Sequence, residues 1–268
     1  MLIWVCALHC EAKPVIDYYR LKKSHDDSAF DLYRGDGMAC IVSGMGKVAS
    51  ATACAWVAAH FAQAASLAWI NLGVAGAAGQ EIGALFSINQ VIDGDDGQRY
   101  YPAPASAEEL PGRACMTLAR ASVDYHEEYL FDMEASGFMY ACLRFSSAEL
   151  VKSFKVVSDN REQGIEKDRQ RVSELIQQHI SVLDRQARNL QVLNDEVSSL
   201  AVSPDSWRQL TSMAQFSQTQ RNRLRVLWRY LMNRDFQAQQ VLGQLEGSSA
   251  GAIINSLERI CHQDSEGL

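Results

Sequence analysis

Three acidic residues and one run of small residues carry the chemistry this sequence could do. Asp132-Met133-Glu134-Ala135 heads a helix-like stretch and Ser158-Asp159-Asn160 closes a β-rich one. Glu11 follows the apolar opening segment, and Gly73-Val74-Ala75-Gly76 follows a second apolar run. Singly these features are ordinary. A Glu after a strand is commonly a helix N-terminal charge, and a Ser-Asp pair at a strand end is commonly a helix cap. Together they put Glu11, Glu134 and Asp159 near the ends of elements that share one sheet. Such a set suits cleavage of a glycosidic bond. That reaction needs one acid to protonate the leaving group, one base to activate water, and one carboxylate to hold the sugar hydroxyls. Glycines beside them allow backbone to approach a ligand where a side chain would collide.

The elements that must position these groups are legible. Residues 2–8 form a continuous apolar run, as in a strand covered on both faces. With no basic region before it and Glu11 soon after, it reads as a first strand and not as a signal peptide. Alternation over Phe30–Arg34, the turn Gly35-Asp36-Gly37 and the run Met38–Ser43 predict a hairpin. Gly44-Met45-Gly46-Lys47 opens an alanine-rich helix reaching about Gln63, and Leu67–Leu72 is a buried strand ending in the small-residue run Gly73–Gly79. Phe86–Asp93, Ala114–Leu118 and Lys152–Val157 read as further strands, and Met133–Arg144 has helical spacing. The stretch Gly94–Pro111 reads as a loop over the site or at an oligomer interface. Alternating strands and helices predict an α/β protein with a mixed central sheet flanked by helices, its ligands outside the strand ends.

Beyond Asn160 the character changes. Val172–Leu200 reads as one long helix, with Ile176, Leu183, Leu190 and Val197 recurring every seven residues and Ile180 and Ala187 beside them. Ser203-Pro204-Asp205 is a helix start, and Ser217 followed by Gln220 is a capping box. The helix that follows carries Leu224, Leu227, Trp228 and Leu231 on one face, expected to pack on the long helix, with an Arg221, Arg225, Arg229 stripe beside it. No strand signal appears past Val157. The prediction is an α/β catalytic domain over 1–200 and an all-α C-terminal extension over 201–268.

Composition narrows the function classes. A chain of 268 residues, 47% hydrophobic, can bury a full core. The net charge of −7 argues against a nucleic-acid binder. From Arg161 onward acidic and basic residues balance at 13 each, so the excess lies in residues 1–160. Seven cysteines are an odd number scattered through apolar segments, without a CxxC pair or Cys/His cluster. They read as reduced, buried thiols of a cytoplasmic protein with no metal site. No apolar run approaches the roughly 20 residues that span a bilayer. The expected partner is a small molecule, not a membrane.

In five places, in order, the chain resembles the nucleoside phosphorylase/nucleosidase superfamily, and within it the methylthioadenosine/S-adenosylhomocysteine nucleosidases. Ala7-Leu8-His9-Cys10-Glu11 stands where that family has a small apolar run ending in a catalytic Glu, and Ser43-Gly44-Met45-Gly46-Lys47-Val48 matches its Ser-Gly-Ile-Gly-Lys-Val. Asn71-Leu72-Gly73-Val74-Ala75-Gly76 matches Asn-Thr-Gly-Ser-Ala-Gly, Phe131-Asp132-Met133-Glu134-Ala135 matches Val-Glu-Met-Glu-Ala, and Lys155-Val156-Val157-Ser158-Asp159 matches Arg-Ala-Ile-Ser-Asp. The resemblance covers roughly residues 2–200. It implies a nucleoside phosphorylase-like fold, a homodimer, no cofactor, and a purine nucleoside or 5′-modified adenosine derivative as substrate. It implies Glu11 as the base that activates water and Asp159 as the acid that protonates the purine at N7. Glu134 becomes the acceptor of the ribose hydroxyls, Met133 a wall against the sugar, Gly76 a close backbone approach, and Ser158 a further substrate-binding residue.

Departures bear on substrate and nucleophile. Val74 replaces Ser, Lys155 replaces Arg, Asn160 replaces an apolar residue, and Ser87-Ile88-Asn89 replaces Val-Gly-Asp. The segment that stacks on the purine in the family is shortened around Leu118–Val123 and offers no aromatic partner. Phosphorylases of the superfamily carry arginines for phosphate before the glycine-rich turn and in the first loop. Here those places hold Asn71 and Cys10-Glu11-Ala12, which favours water, with Lys13 and Lys47 the nearest cations. Two alternatives stay open: a phosphorylase using inorganic phosphate, and a non-catalytic nucleoside-binding sensor or adaptor.

Overall fold

The computed structural model describes residues 1–266 apart from 26–28, 63, 65, 106–109, 122–128, 165–167, 200–203, 233, 235 and 246–248. Within them the chain divides into two compact units, Met1–Asn194 and Asp195–Leu268.

The first unit is built on strands β1 (Leu2–Cys6), β2 (Lys22–Lys23), β3 (Asp31–Gly35), β4 (Met38–Val42), β5 (Ala68–Ala77), β6 (Leu85–Asp93), β7 (Arg99–Tyr100), β8 (Gly112–Thr117), β9 (Leu130–Asp132) and β10 (Val151–Asn160). All ten join one mixed sheet in the order β10-β6-β8-β9-β5-β1-β4-β3-β2, with β7 on β6. A further pairing of β10 with β5 closes five of the strands into a ring. Helices α1 (His9–Tyr19), α2 (Lys47–His60), α3 (Ala135–Cys142), α4 (Arg169–Gln177) and α5 (Ile180–Ser199) accompany it. β1 is buried throughout because both faces are covered, which its unbroken apolar sequence anticipates. The predicted hairpin is present as β3 and β4, paired antiparallel from Asp31↔Val42 to Gly35↔Met38.

β5 shows how the sheet closes. Its first half pairs with β1, from Leu2↔Ala68 to Val5↔Asn71. Its end pairs with β9, at Gly76↔Phe131 and Ala77↔Leu130. β10 runs parallel along its other edge from Trp69 to Ala77. The strand therefore does not stop at Leu72, as the small residues Gly73–Ala77 suggest. Glycine weakens a strand in isolation, but here neighbours on both edges supply the ladder and the missing side chains permit the bend.

Two further differences from the sequence reading have local causes. The seam from Val172 is not one helix, because α4 and α5 are separated at Gln178 and His179. The His179 imidazole, 2.6 Å from the Gly83 carbonyl, ties this break to the loop before β6. The heptad residues Ile176, Leu183 and Leu190 stay buried across it, so the hydrophobic period survives the interruption. The predicted helix over Met133–Arg144 begins two residues later, at Ala135, because Asp132 and Glu134 are used before it. α2 and α3 cross so closely that a Cβ on Gly137 would lie 1.9 Å from the Lys47 carbonyl oxygen. Only glycine fits that crossing, which holds the head of α3 beside the turn before α2.

The second unit comprises α6 (Pro204–Ser212), α7 (Gln218–Met232), α8 (Ala238–Gln244) and α9 (Ala250–Glu266), the all-α extension expected past the sheet. The capping box is formed: Gln220 Oε1 accepts from the Ser217 amide at 2.9 Å, and Ser217 Oγ accepts from the Gln220 amide at 3.3 Å. Leu224, Leu227, Trp228 and Leu231 of α7 share a core with Leu210, Phe216, Val241, Leu242, Ile253 and Leu257 from its neighbours. Leu200 and Ser203, where the sequence places a helix end and a cap, lie outside the described residues, as do Ser122 and Val123.

Because each unit has its own core, deleting residues 203–268 is expected to leave the remainder with native-like circular dichroism and one cooperative thermal transition. Loss of that cooperative transition would show that the sheet unit depends on the helical one.

Candidate active site

Residues of β5, β9 and β10, of the segment just after β8, of the turn after β1 with the start of α1, and of the turns before α2 and α3 line a cavity of about 210 Å³. Glu11, Gly76, Met133, Glu134, Ser158 and Asp159, the residues singled out from sequence, all line it.

Glu11 sits in the first turn of α1, as its reading as a helix N-terminal charge expects. Its Oε2 accepts from the amides of Ala7 at 3.0 Å and Leu8 at 2.8 Å, capping the helix. Its Oε1 accepts from the Val74 amide at 2.9 Å, turning the other oxygen toward β5. A Cβ on Gly73 would lie 2.8 Å from that oxygen, so glycine is what lets the carboxylate in. Burial raises the Glu11 pKa above its ordinary value, opposed first by the Lys155 ammonium and then by the three amides.

Asp132 and Glu134 sit side by side with different partners. Asp132 Oδ1 accepts from Thr117 Oγ1 at 2.7 Å, and Oδ2 accepts from the Ala135 amide and pairs with Lys155 Nζ, both at 2.8 Å. Both partners of that ion pair are removed from solvent. Glu134 Oε1 accepts from the Gly46 amide at 2.8 Å. Burial, then repulsion from Asp132, push the Glu134 pKa up to about 7, with Lys155 and the Gly46 amide pulling the other way.

Asp159 occupies the far wall. β10 slips register between Val157 and Asp159, a bulge that brings Asp159 opposite Gly76 of β5. Strict alternation would send Ser158 and Asp159 to opposite faces, but the bulge allows both to border the cavity. Ser158 Oγ donates to Asp159 Oδ1 at 2.6 Å.

Among the lining residues given no site role from sequence are Met45, Phe131 and Arg120. Phe131 is the aromatic side chain among the described lining residues, and it comes from β9, in the row that joins Gly76 to Met116. Its position just before the Asp-Met-Glu motif was the available clue. Lys155, noted only as a departure from Arg, proves to be the buried counter-ion of the site.

The cations considered for phosphate are committed elsewhere. Lys47 lies 2.7 Å from Asp93 and 2.6 Å from Asp95, and Lys13 lies 2.5 Å from Asp17. Asn71, where phosphorylases carry Arg, is buried and bonds the Val5 carbonyl and Ser153 Oγ. Cys10 has its thiol pKa raised by burial and then by Glu11, which disfavours the nucleophilic thiolate. His9 lies beside the Tyr33 hydroxyl at 3.1 Å. Among the described residues no group of three His, Cys, Asp or Glu is arranged to hold a metal ion, and no helix is long and apolar enough to cross a membrane.

No family model and no curated protein matches the sequence. Solved structures do. A 5′-methylthioadenosine/S-adenosylhomocysteine nucleosidase from Neisseria meningitidis, in complex with methylthio-immucillin-A, superposes with a TM-score of 0.57 at 17% identity, covering 69% of this chain and 98% of that one. The Arabidopsis thaliana 5′-methylthioadenosine nucleosidase gives 0.56 at 17% identity, covering 72% and 94%. The futalosine hydrolase of Helicobacter pylori gives 0.53 at 15% identity, covering 69% and 97%. Across the part it shares with them, the chain has the fold of these nucleosidases.

Proposed function

We propose that the protein hydrolyses the N-glycosidic bond of a purine nucleoside or a 5′-modified adenosine derivative. The observation that carries this reading is the convergence of Glu11, Glu134 and Asp159 on one small cavity, in the fold of nucleosidases. In this mechanism Asp159, oriented by Ser158, gives its proton to N7 of the base as the C1′–N9 bond breaks. The sugar gains oxocarbenium character, which nearby carboxylates stabilise. Glu11 takes a proton from water as the water oxygen bonds C1′. Glu134 accepts hydrogen bonds from the ribose 2′- and 3′-hydroxyls, replacing its bond to the Gly46 amide, and Met133 and Phe131 supply apolar walls. Water is favoured over phosphate because Lys13, Lys47 and Asn71 are engaged elsewhere. A cytoplasmic homodimer completes the reading. The association of two copies is supported by the exposed apolar side chains of Met45, Val48 and Tyr140, of which Met45 also borders the cavity.

Glu11→Gln and Asp159→Asn are each expected to cut turnover by at least about 10²-fold, the usual contribution of a general acid or base. The assay is base release from a nucleoside panel, with and without phosphate. Near wild-type turnover in either variant overturns its role, phosphate-dependent release makes the protein a phosphorylase, and binding without release makes it a sensor.

Glu134→Gln is expected to weaken ribonucleosides more than their 2′-deoxy analogues, since an acceptor contributes most when its donor is present. Equal losses in kcat/KM for the two series would remove the 2′-hydroxyl contact.

Glu11 acts as a base only when ionised, and its pKa is raised by burial. Activity should therefore fall with decreasing pH along a limb lying above the ordinary carboxylate value of 4.5. A kcat/KM–pH profile whose acidic limb sits at or below that value argues that Glu11 is not the base.

A further inference from the structure

We infer that Arg120 is a specificity-determining residue that selects purines carrying a 6-oxo group, as in inosine and guanosine, over the 6-amino purine of adenosine. This deepens the proposed glycosidic hydrolysis and rests on it. Among the described residues that line the cavity, the polar side chains are those of Glu11, Arg120, Asp132, Glu134, Ser158 and Asp159. In the proposed reaction Glu11 serves the water, Glu134 the ribose, and Asp159 with Ser158 the N7 position. Asp132 is taken up by Thr117, the Ala135 amide and Lys155. Arg120 is left to meet the rest of the base, and it is the one side chain of this set that offers nitrogen donors.

The sheet puts arginine and acid on different walls of one cavity. A single row of paired residues runs from Asp159 of β10 through Gly76 of β5 and Phe131 of β9 to Met116 of β8. At about 4.8 Å per strand, three steps separate the acid from β8 by on the order of 14 Å along the sheet. At the end of β8 the Gly94 amide donates to the Thr117 carbonyl at 2.9 Å, and the Leu118 amide donates to the Asp132 carbonyl at 2.8 Å. The chain therefore leaves toward Arg120 from a fixed point. This is also the segment that the sequence resemblance sets against the base. In the complex a purine lies between these walls: its N7 meets Asp159, and its 6-substituent, next along the same edge, meets Arg120.

The 6-position differs in hydrogen-bonding sense. A 6-oxo purine presents an acceptor there and a 6-amino purine a donor. A guanidinium has donors and no acceptor, so it bonds the first and opposes the second. The reaction strengthens the preference. Water's oxygen bonds C1′ and its proton passes to Glu11, while the C1′–N9 electron pair leaves with the base, whose N7 is protonated by Asp159. Part of the charge that this pair carries into a 6-oxo purine reaches O6, where a fixed positive charge stabilises it. The products are the free 6-oxo purine and ribose.

The experiment compares inosine with adenosine and with purine riboside, which has no 6-substituent, on the full chain and its Arg120→Met and Arg120→Lys variants. It measures kcat/KM for base release without added phosphate and, separately, binding by calorimetry. The expected result is a preference for inosine over adenosine of about 10- to 100-fold, the range for a hydrogen bond to a charged group. Purine riboside should fall short of inosine. The preference should collapse in Arg120→Met and be partly kept in Arg120→Lys. Equal handling of inosine and adenosine by the parent, a preference for adenosine, purine riboside as good as inosine, or an inosine preference untouched by Arg120→Met overturns the inference while leaving the hydrolytic reading intact. An equal loss on all three nucleosides in Arg120→Met marks a structural role and also overturns it. Inosine binding that depends on Arg120 without base release supports the inference and removes the hydrolytic reading. Release that requires inorganic phosphate and fails on every nucleoside in Arg120→Met assigns the arginine to the attacking anion, overturning both.

Discussion

A buried ammonium offsets the negative charge gathered at this site. Lys155 is almost fully removed from solvent, as is Asp132, whose Oδ2 it meets at 2.8 Å. Burial alone would drive the lysine toward its neutral form. The Asp132 carboxylate, with Cys115 and Glu134, overcomes that and holds the pKa above its ordinary value. The same ammonium opposes the upward shift of both Glu11 and Glu134. Without it the buried carboxylates would push one another still further toward protonation. A buried pair is tolerable only when its remaining hydrogen-bonding capacity is also met. Both Asp132 oxygens are used, on Thr117, Ala135 and Lys155. The pair thereby ties β10 to β9 and to the first turn of α3, the elements that carry Asp159 and Glu134.

The ion pair also gives one sequence departure its setting. Read singly, Lys for Arg forfeits a planar fork. In the folded chain Lys155 meets Asp132 as a single-point cation inside the core.

Backbone does as much positioning here as side chains do. The missing Cβ of Gly73 leaves room for the Glu11 carboxylate and for Lys155 Nζ, which a Cβ would approach to 2.8 and 3.4 Å. The bulge before Asp159 sets it opposite Gly76. The close crossing at Gly137 keeps the Gly46 amide within 2.8 Å of Glu134. Each contact joins elements distant in sequence, so the geometry depends on the ring closing through β5 and β10.

The sequence by itself determined the element types and the residues able to do chemistry. Apolar runs and alternation are local consequences of burial on two faces or one, so β1, the β3–β4 hairpin and the capping box of α7 could be read directly. The carboxylates were legible because each stands at an element boundary within a short pattern. Tertiary structure decided what depends on neighbours. β5 continues through Gly73–Ala77 because strands on both edges supply its ladder, and the helix after Asp168 breaks because His179 finds the Gly83 carbonyl. The apolar face of α7 finds its core in adjacent helices. Phe131 came to line the cavity from β9, and Lys155 passed from a conservative-looking exchange to the counter-ion of Asp132. A charge or ring acquires its meaning from what lies within a few ångströms, and that distance is set by sheet closure, which no local pattern of residues encodes.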